Sequence, residues 1–185
     1  DRMGPVELAS CSFGQSSKVS YLQMLTAVCA VVNGGELMQP YVVAKITAPD
    51  GTVVKEVQPT VKRRVISAET SATMCRLMEG VVTGGTGKQA ALAGYRIGGK
   101  SGTSEQLNME RRADGDYKKV ASFAAVLPAN DPEILVYVML DDPNNAHTDY
   151  SSILAAPVVG NIISEIAPYL GIATDGIDRS QNTVK

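Results

Sequence analysis

Apolar residues recur along the chain with the spacing of helices and strands, beginning with one long apolar stretch. From Lys18 to Asn33 nearly every position is apolar except a narrow stripe through Gln23 and Thr26. The segment Asn33-Gly34-Gly35 supplies residues that tolerate the left-handed conformation at the end of a helix. The pattern therefore predicts a helix over residues 18–33 that is mostly buried.

Capping residues and periodicity predict two further helices. Ser67 is a suitable N-cap, and the apolar residues after it fall on one helical face until Gly84-Gly85 ends the helix. A last helix should start near Ala156-Pro157, because proline suits a first turn, and Pro168 should disrupt it. Its buried residues are expected to be Val159, Ile162, Ile163 and Ile166.

The remaining segments have the patterns of strands. Residues 37–66 contain two β-branched segments on either side of Pro49-Asp50-Gly51, which predicts a peripheral hairpin. Three later strands are predicted over Tyr95–Thr103, Val120–Leu127 and Ile134–Leu140. The last two are almost continuously apolar, as strands covered on both faces are, so helices should pack on both sides of the sheet.

Length and composition narrow the possible classes of protein. A chain of 185 residues with 44% hydrophobic and 19% charged residues can form one domain with a packed core. The net charge of −2 and the absence of a basic stripe argue against nucleic acid as a partner. Cys11, Cys29 and Cys75 lack the paired spacing of zinc or redox motifs, so no metal or cofactor is expected.

The sequence carries no recognisable targeting segment. No uninterrupted apolar run reaches the roughly 20 residues of a membrane span. The first residues include neither an initiator Met nor a signal-like apolar region. We therefore expect the chain to be part of a longer protein.

Residues Gly94–Ser101 form a candidate site that has two interpretations. They match the pattern G-x-x-x-x-G-K-[ST] of a phosphate-binding loop, which needs a strand before the first glycine and a helix beginning at the Lys-Ser pair. The flanking residues are poor formers of both, although a nucleotide-binding protein stays an alternative. In the other interpretation, Lys100, Ser101, Gly102 and Thr103 lie in a strand whose exposed edge binds a peptide carboxylate.

Further segments extend this second interpretation. Phe13-Gly14-Gln15, Asn33-Gly34-Gly35, Gly85-Thr86-Gly87 and Gly99-Lys100-Ser101-Gly102-Thr103 follow one another along the chain. In order and spacing they resemble class B penicillin-binding proteins over almost the full length. The resemblance implies a partial penicillin-binding transpeptidase fold of the serine β-lactamase type. This is an α/β structure of the α+β type, with an antiparallel sheet flanked by helices on both faces. Residues 1–170 would be the C-terminal part of the transpeptidase domain, and residues 171–185 a polar tail or linker.

The resemblance also implies a function. The parent protein would be a membrane-anchored D,D-transpeptidase that acts outside the cytoplasmic membrane, cross-links peptidoglycan stem peptides by serine acyl transfer and binds β-lactams. Lys100 would supply positive potential near the reaction centre. Ser101 and Thr103, on either side of Gly102, would bind the substrate carboxylate. The N–H of Thr103 would be one of two oxyanion donors.

The chain departs from the family at the nucleophile. No Lys has Ser three positions before it, so the S-x-x-K motif is absent, and Ser180-Gln181-Asn182 matches the family's S-x-N motif only by chance. We therefore expect the chain alone to be inactive and to need the missing N-terminal half. The strand Ile134–Leu140 would leave an exposed edge through which copies could associate. A non-catalytic wall-binding module is the remaining alternative. His147, the only histidine, is predicted in a solvated loop rather than in a catalytic triad with Asp149 and Ser151.

Overall fold

The computed structural model describes residues 3–15, 17–106, 109–143, 148 and 150–175. The helices are α1 (Pro5–Cys11), α2 (Tyr21–Val32), α3 (Ala68–Thr83), α4 (Ser151–Leu154) and α5 (Ala156–Tyr169), and Lys88–Ala90 forms a short 3-10 turn. The strands are β1 (Glu36–Met38), β2 (Lys45–Thr47), β3 (Val53–Glu56), β4 (Val61–Arg64), β5 (Gly98–Glu105), β6 (Lys119–Leu127) and β7 (Ile134–Asp141). His147, Asp149 and Ser180-Gln181-Asn182 lie outside the described residues.

The central sheet is antiparallel and has the order β5-β6-β7, which confirms the predicted class of fold. Strands β6 and β7 lie within one residue of their predicted bounds. Strand β5 begins at Gly98, three residues after the predicted start at Tyr95. The ladder does not reach further back because the carbonyl of Arg96 accepts from the N–H of Ala129 at 2.7 Å, one residue out of the β5–β6 register.

Helices cover both faces of this sheet, as predicted. On one face Val126 of β6 packs in a buried cluster with Met78 of α3, and Leu135 of β7 contacts the same cluster. On the other face Phe123 of β6 belongs to a larger buried cluster that includes Ile163 of α5. Because neighbouring residues of a strand point to opposite faces, the nearly continuous apolar run of β6 contributes to both clusters.

Helix α5 is the main cover of the second face. It begins at Ala156, as predicted, and its residues Val159, Ile163 and Ala167 are all 0% exposed. The expected burial of Ile162 is wrong, since 36% of its surface is exposed. The helix also continues through Pro168 to Tyr169. A proline this close to the end affects only the last turn, so it does not shorten the buried part of the helix.

Helices α4 and α5 together also meet a membrane criterion. The segment Ser151–Tyr169 is long and apolar enough, by length and composition, to cross a membrane. Core helices of globular domains meet the same criterion, and α5 buries one face completely against β6 and β7. We therefore interpret the segment as part of the core.

Helix α2 is less buried than the sequence predicts. Its described residues include two buried ones, Ala30 and Val32, both near the C-terminal end. At the other end Tyr21 is 61% and Leu22 is 54% exposed. The prediction of a mostly buried helix is wrong for this structure because no described segment covers the N-terminal turns of α2.

The predicted hairpin is present as strands β2 and β3. They are joined through Gly51, which has a φ of +87°, and the Asp50 carboxylate accepts from the N–H of Thr52 at 2.9 Å. This Asx-type turn is the chemistry expected of the Pro-Asp-Gly segment. Strands β1 and β4, which precede and follow the hairpin in sequence, pair with each other, and all residues of β2, β3 and β4 are exposed.

The packed body extends further than the predicted boundary at residue 170. Ile172 is 4% exposed and belongs to the same buried cluster as α5. The N–H of Asp175 donates to the carbonyl of Gly94 at 2.6 Å. An apolar side chain and this backbone bond hold residues 171–175 against the domain, so they are not part of a polar tail. Residues 176–185 lie outside the described part of the chain.

Candidate active site

One edge of the sheet, along β5, is free within the described residues. The N–H of Gln106 donates to the carbonyl of Lys118 at 2.8 Å, directly beyond the β5–β6 ladder. Hydrogen-bonded pairs occur at every second residue of an antiparallel ladder, so the same register directs the backbone of Gly102 to β6. The backbone N–H and C=O groups of Ser101 and Thr103 therefore point to the free edge.

The side chains of the Lys-Ser-Gly-Thr segment alternate across this edge. Ser101 pairs with Phe123 and Thr103 with Ala121, so the two hydroxyls lie on the face covered by α5. Lys100 lies on the opposite face, is exposed, and donates from Nζ to the carbonyl of Ser101. A cation, two hydroxyls and two outward N–H groups thus lie within four consecutive residues.

The buried ring of Phe123 packs against β5 on the face of the sheet that α5 covers. Phe123 is 0% exposed. A Cβ atom on Gly99 would lie 2.6 Å from the ring carbons of Phe123, and one on Gly87 would lie 2.9 Å from Cζ. Both distances are closer than carbon atoms can approach. The glycines before the Lys-Ser pair and in the Gly-Thr-Gly segment therefore let the strand pack directly on this ring.

Gly102 is also in a crowded position. A Cβ atom there would lie 2.9 Å from the hydroxyl oxygen of Ser122, which donates to the carbonyl of Gly102 at 3.2 Å. A larger residue would displace this hydroxyl. Glycine keeps the β5 backbone close to β6 between the two hydroxyl-bearing residues.

Several polar side chains from distant segments contact β5. The hydroxyls of Thr86 and Ser101 lie 3.4 Å apart, and the hydroxyl of Ser104 donates to Gln15 Oε1 at 3.4 Å. Thr103 is in contact with Ser151 at the start of α4. Thr86 and Gln15 lie in segments that the sequence analysis singled out, although it assigned them no position at the site. The sequence analysis considered Ser151 only as a possible partner of His147 in a catalytic triad and did not predict its contact with Thr103.

The nearby ionisable groups outside β5 have structural roles. The Arg96 guanidinium donates to both carboxylate oxygens of Glu79 at 2.7 Å, and this hydrogen bonding holds the pKa of Glu79 below its usual value. Burial raises the pKa of the Cys75 thiol, which makes this residue a poor nucleophile. Neither group lies on the free edge of β5.

The nucleotide-binding alternative is not favoured by this geometry. Lys100 and Ser101 lie inside strand β5, so no helix begins at the Lys-Ser pair. The phosphate-binding pattern depends on the free N–H groups at such a helix start. Residues Gly94–Ser101 therefore match the sequence of a phosphate-binding loop without having its structure.

The antiparallel sheet, its helical layers and the Lys-Ser-Gly-Thr edge agree with the transpeptidase fold that the sequence resemblance implies. A family model described as penicillin binding protein transpeptidase domain matches residues 2–164. The chain belongs to this family of transpeptidase domains, which confirms the resemblance found in the sequence.

Individual relatives agree with this assignment. Stage V sporulation protein D of Bacillus subtilis is 40% identical over 176 residues, which cover 93% of this chain and 26% of that protein. The probable peptidoglycan D,D-transpeptidase FtsI of Caulobacter vibrioides is 38% identical, over 89% of this chain and 28% of the relative. The chain thus spans about a quarter of the length of these proteins.

Solved structures show the same fold. Penicillin binding protein 3 from Mycobacterium tuberculosis, complexed with ampicillin, superposes with a TM-score of 0.76 at 29% identity, covering 91% of this chain and 39% of that one. Penicillin-binding protein A of M. tuberculosis, as a ceftriaxone acyl-enzyme complex, gives a TM-score of 0.74 at 26% identity, covering 88% and 36%. The predicted fold family is therefore confirmed.

Proposed function

We propose that residues 1–170, together with the packed residues 171–175, are the C-terminal part of the catalytic domain of a peptidoglycan D,D-transpeptidase. The parent protein cross-links stem peptides by serine acyl transfer at the outer face of the cytoplasmic membrane, to which it is anchored, and β-lactams acylate it. Family membership supports the class of enzyme. Relatives named as peptidoglycan D,D-transpeptidases and a neighbour solved with ampicillin support the substrate and the ligand.

The free edge of β5 is the observation that carries this proposal. An extended peptide can pair with the outward N–H and C=O groups of Ser101 and Thr103 as an added strand. In this arrangement the hydroxyls of the same two residues bind the terminal carboxylate, and Lys100 supplies positive potential. Gly102 leaves room between them. The N–H of Thr103 acts as an oxyanion donor, and the loss of one such donor costs roughly 3 to 4 kcal/mol in comparable sites.

The serine nucleophile comes from outside this chain. Its hydroxyl oxygen bonds to the carbonyl carbon of the substrate, the leaving amine departs with a proton, and an ester to the serine forms. An acceptor amine then takes the acyl group and releases the serine. The residues of β5 bind and polarise the carbonyl, but they supply no group that forms the ester. The chain by itself is therefore inactive.

Labelling with a fluorescent penicillin tests this proposal. The full-length protein should form a stoichiometric covalent adduct that survives denaturation, whereas residues 1–185 alone should form none. A full-length protein that binds peptidoglycan without forming an adduct would be the non-catalytic wall-binding module. Covalent labelling of the isolated chain would contradict the assignment of the nucleophile to another segment.

A substitution at Lys100 tests the role of β5. In the full-length protein, Lys100→Ala should slow acylation by at least an order of magnitude, because the positive potential at the reaction centre is lost. Thermal unfolding should be nearly unchanged, since an exposed strand-edge Lys contributes little to stability. Lys45→Ala, at an exposed position of the hairpin, is the matched control. Equal acylation rates for both variants would remove Lys100 from the mechanism.

The other edge of the sheet, along β7, is where we expect the missing half of the domain to bind. Within the described residues β7 pairs with β6 alone, and its other backbone edge is open. Strands with such an edge pair with other chains unless they are covered. The isolated chain should therefore self-associate through Ile134–Leu140 or bind the N-terminal half of its domain. Sedimentation together with amide exchange tests this, and a clean monomer with rapid exchange in this strand would refute it.

A further inference from the structure

The hydroxyl of Thr103 is engaged by a buried residue from a distant part of the chain. It accepts from the backbone N–H of Ser151 at 3.3 Å and donates to the hydroxyl oxygen of Ser151, also at 3.3 Å. Ser151 is 3% exposed, whereas Thr103 lies on the exposed edge. The two residues are 48 positions apart in sequence.

A threonine hydroxyl has a single hydrogen to donate. When Thr103 donates to Ser151, this single hydrogen is directed away from the free edge of β5. A carboxylate is an acceptor and has no hydrogen to offer. Thr103 can therefore bind a carboxylate through its hydroxyl only after it releases Ser151.

We propose that Ser151 is a positioning residue that withholds the hydroxyl hydrogen of Thr103, so that the carboxylate of a ligand must compete with Ser151 for it. This inference rests on the proposed function, in which Thr103 binds the ligand carboxylate. Ser151 does not touch the ligand or the reacting atoms. It acts through Thr103 and sets how strongly the site depends on the carboxylate.

The length of the bond between Thr103 and Ser151 limits how much Ser151 can slow acylation. Hydrogen bonds between hydroxyls are usually 2.5–3.0 Å long, so a 3.3 Å bond is weak and a charged acceptor can replace it. Removing the competitor should gain no more than a typical net hydrogen bond. This corresponds to about a two- to tenfold faster acylation by a carboxylate-bearing ligand.

The test compares two ligands on the full-length protein. Acylation rates are measured with benzylpenicillin and with its methyl ester, which lacks the charged carboxylate. In Ser151→Ala the rate with the acid should rise about two- to tenfold, while the rate with the ester, whose neutral carbonyl is a weaker acceptor, should rise less. Ser152→Ala, the neighbouring serine for which no bond to Thr103 is present, should change neither rate.

A second variant and a double variant guard against loss of folding. Ser151→Cys keeps the shape of the side chain, with a slightly larger atom, but offers only a weak acceptor, so it should show the same selective increase. In a Thr103→Val background, Ser151→Ala should have no further effect on the ratio of the two rates. A purely structural role of Ser151 would instead slow both ligands equally in all backgrounds.

Three results are decisive. A selective increase with the acid that depends on Thr103 supports the inference. An unchanged or lower acid-to-ester ratio in folded Ser151→Ala and Ser151→Cys overturns it, while labelling of the wild type leaves the proposed function standing. If the wild-type protein forms no adduct with benzylpenicillin, the proposed function fails and this inference fails with it.

Discussion

Helices α5 and α2 are both rich in apolar residues, yet their environments differ sharply. Helix α5 has four fully buried apolar residues along one face, Ala156, Val159, Ile163 and Ala167, and packs on β6 and β7. Helix α2 buries only Ala30 and Val32 among its described residues, while Tyr21 and Leu22 are more than half exposed. The difference shows that an apolar pattern determines whether a helix forms, but the available partner surface determines whether the helix is buried.

The same contrast separates the two ends of α2 itself. Near its C-terminal end, Val28 and Val31 pack against the cluster formed by Val32, Cys75 and Met78. At its N-terminal end, the capping box of Ser20 and Gln23 holds an exposed first turn. The N-terminal end of α2 therefore has capping hydrogen bonds although no described segment covers it. The following substitutions compare the covered and the uncovered regions.

The two phenylalanines of the chain should give the largest contrast. Phe123 is 0% exposed beneath β5, so Phe123→Ala should destabilise the domain by about 3 to 5 kcal/mol through loss of burial and a cavity. Phe13 is 72% exposed, and Phe13→Ala should change the free energy of unfolding by less than about 0.5 kcal/mol. Urea unfolding of residues 1–185 measures both. Similar costs would mean that the sheet does not rest on Phe123.

A pair of helix substitutions should give the next largest effect. Ile163→Ala in α5 should cost about 2 to 5 kcal/mol, because the side chain is fully buried. Leu22→Ala in α2 should cost less than about 0.5 kcal/mol in this chain. In the full-length protein the cost of Leu22→Ala should rise if the N-terminal half covers α2. An equal cost in both proteins would show that this face stays exposed.

Helix caps should produce a smaller contrast. The Ser67 hydroxyl accepts from the N–H of Thr70 at 3.1 Å, and α3 packs on the sheet along its length. Ser67→Ala should therefore cost about 1 kcal/mol. Ser20→Ala should mainly loosen the exposed first turn of α2. Amide exchange would distinguish global destabilisation in the first variant from local fraying in the second.

The smallest effect should come from the ion pair between Glu79 and Arg96. Hydrogen bonding to Arg96 lowers the pKa of Glu79 in the folded state, so the pair stabilises the fold above the unfolded pKa of Glu. This contribution is lost as the pH falls through the lower, folded pKa. Both side chains are partly exposed, which limits its size.

Thermal unfolding at several pH values checks this prediction. Glu79→Gln should be less stable than the wild type at neutral pH, and the difference should disappear in acid. Glu165→Gln, at an exposed position of α5, serves as the control. A difference that persists unchanged at low pH would show that Glu79 contributes through packing rather than charge.

The sequence correctly predicted those strands whose limits depend only on the residues within and next to them. Strands β6 and β7 are continuously apolar and bounded by a turn, so their limits were found within one residue. The start of β5 depends on the contact between Arg96 and Ala129, far apart in sequence, and was misplaced by three residues. Helix α1 lacks a strong periodic signal and was not predicted.

The candidate site divides in the same way. A contiguous motif located Lys100, Ser101, Gly102 and Thr103, and the structure places all four on β5. The support for these residues comes from elsewhere in the chain. Phe123 beneath Gly99 and Ser151 beside Thr103 follow from strand pairing and helix packing, which no short sequence window contains.

The alternating backbone of β5 restricts the register in which an extended peptide can pair with it. Only every second residue presents its N–H and C=O outward, so the outward groups repeat at about 6.8 Å, twice the rise of one strand residue. A peptide that shifts by one residue loses both backbone partners at once, whereas a shift by two restores them. A bound peptide can therefore change its register only by two residues at a time. A peptide whose backbone pairs with Thr103 also pairs with Ser101.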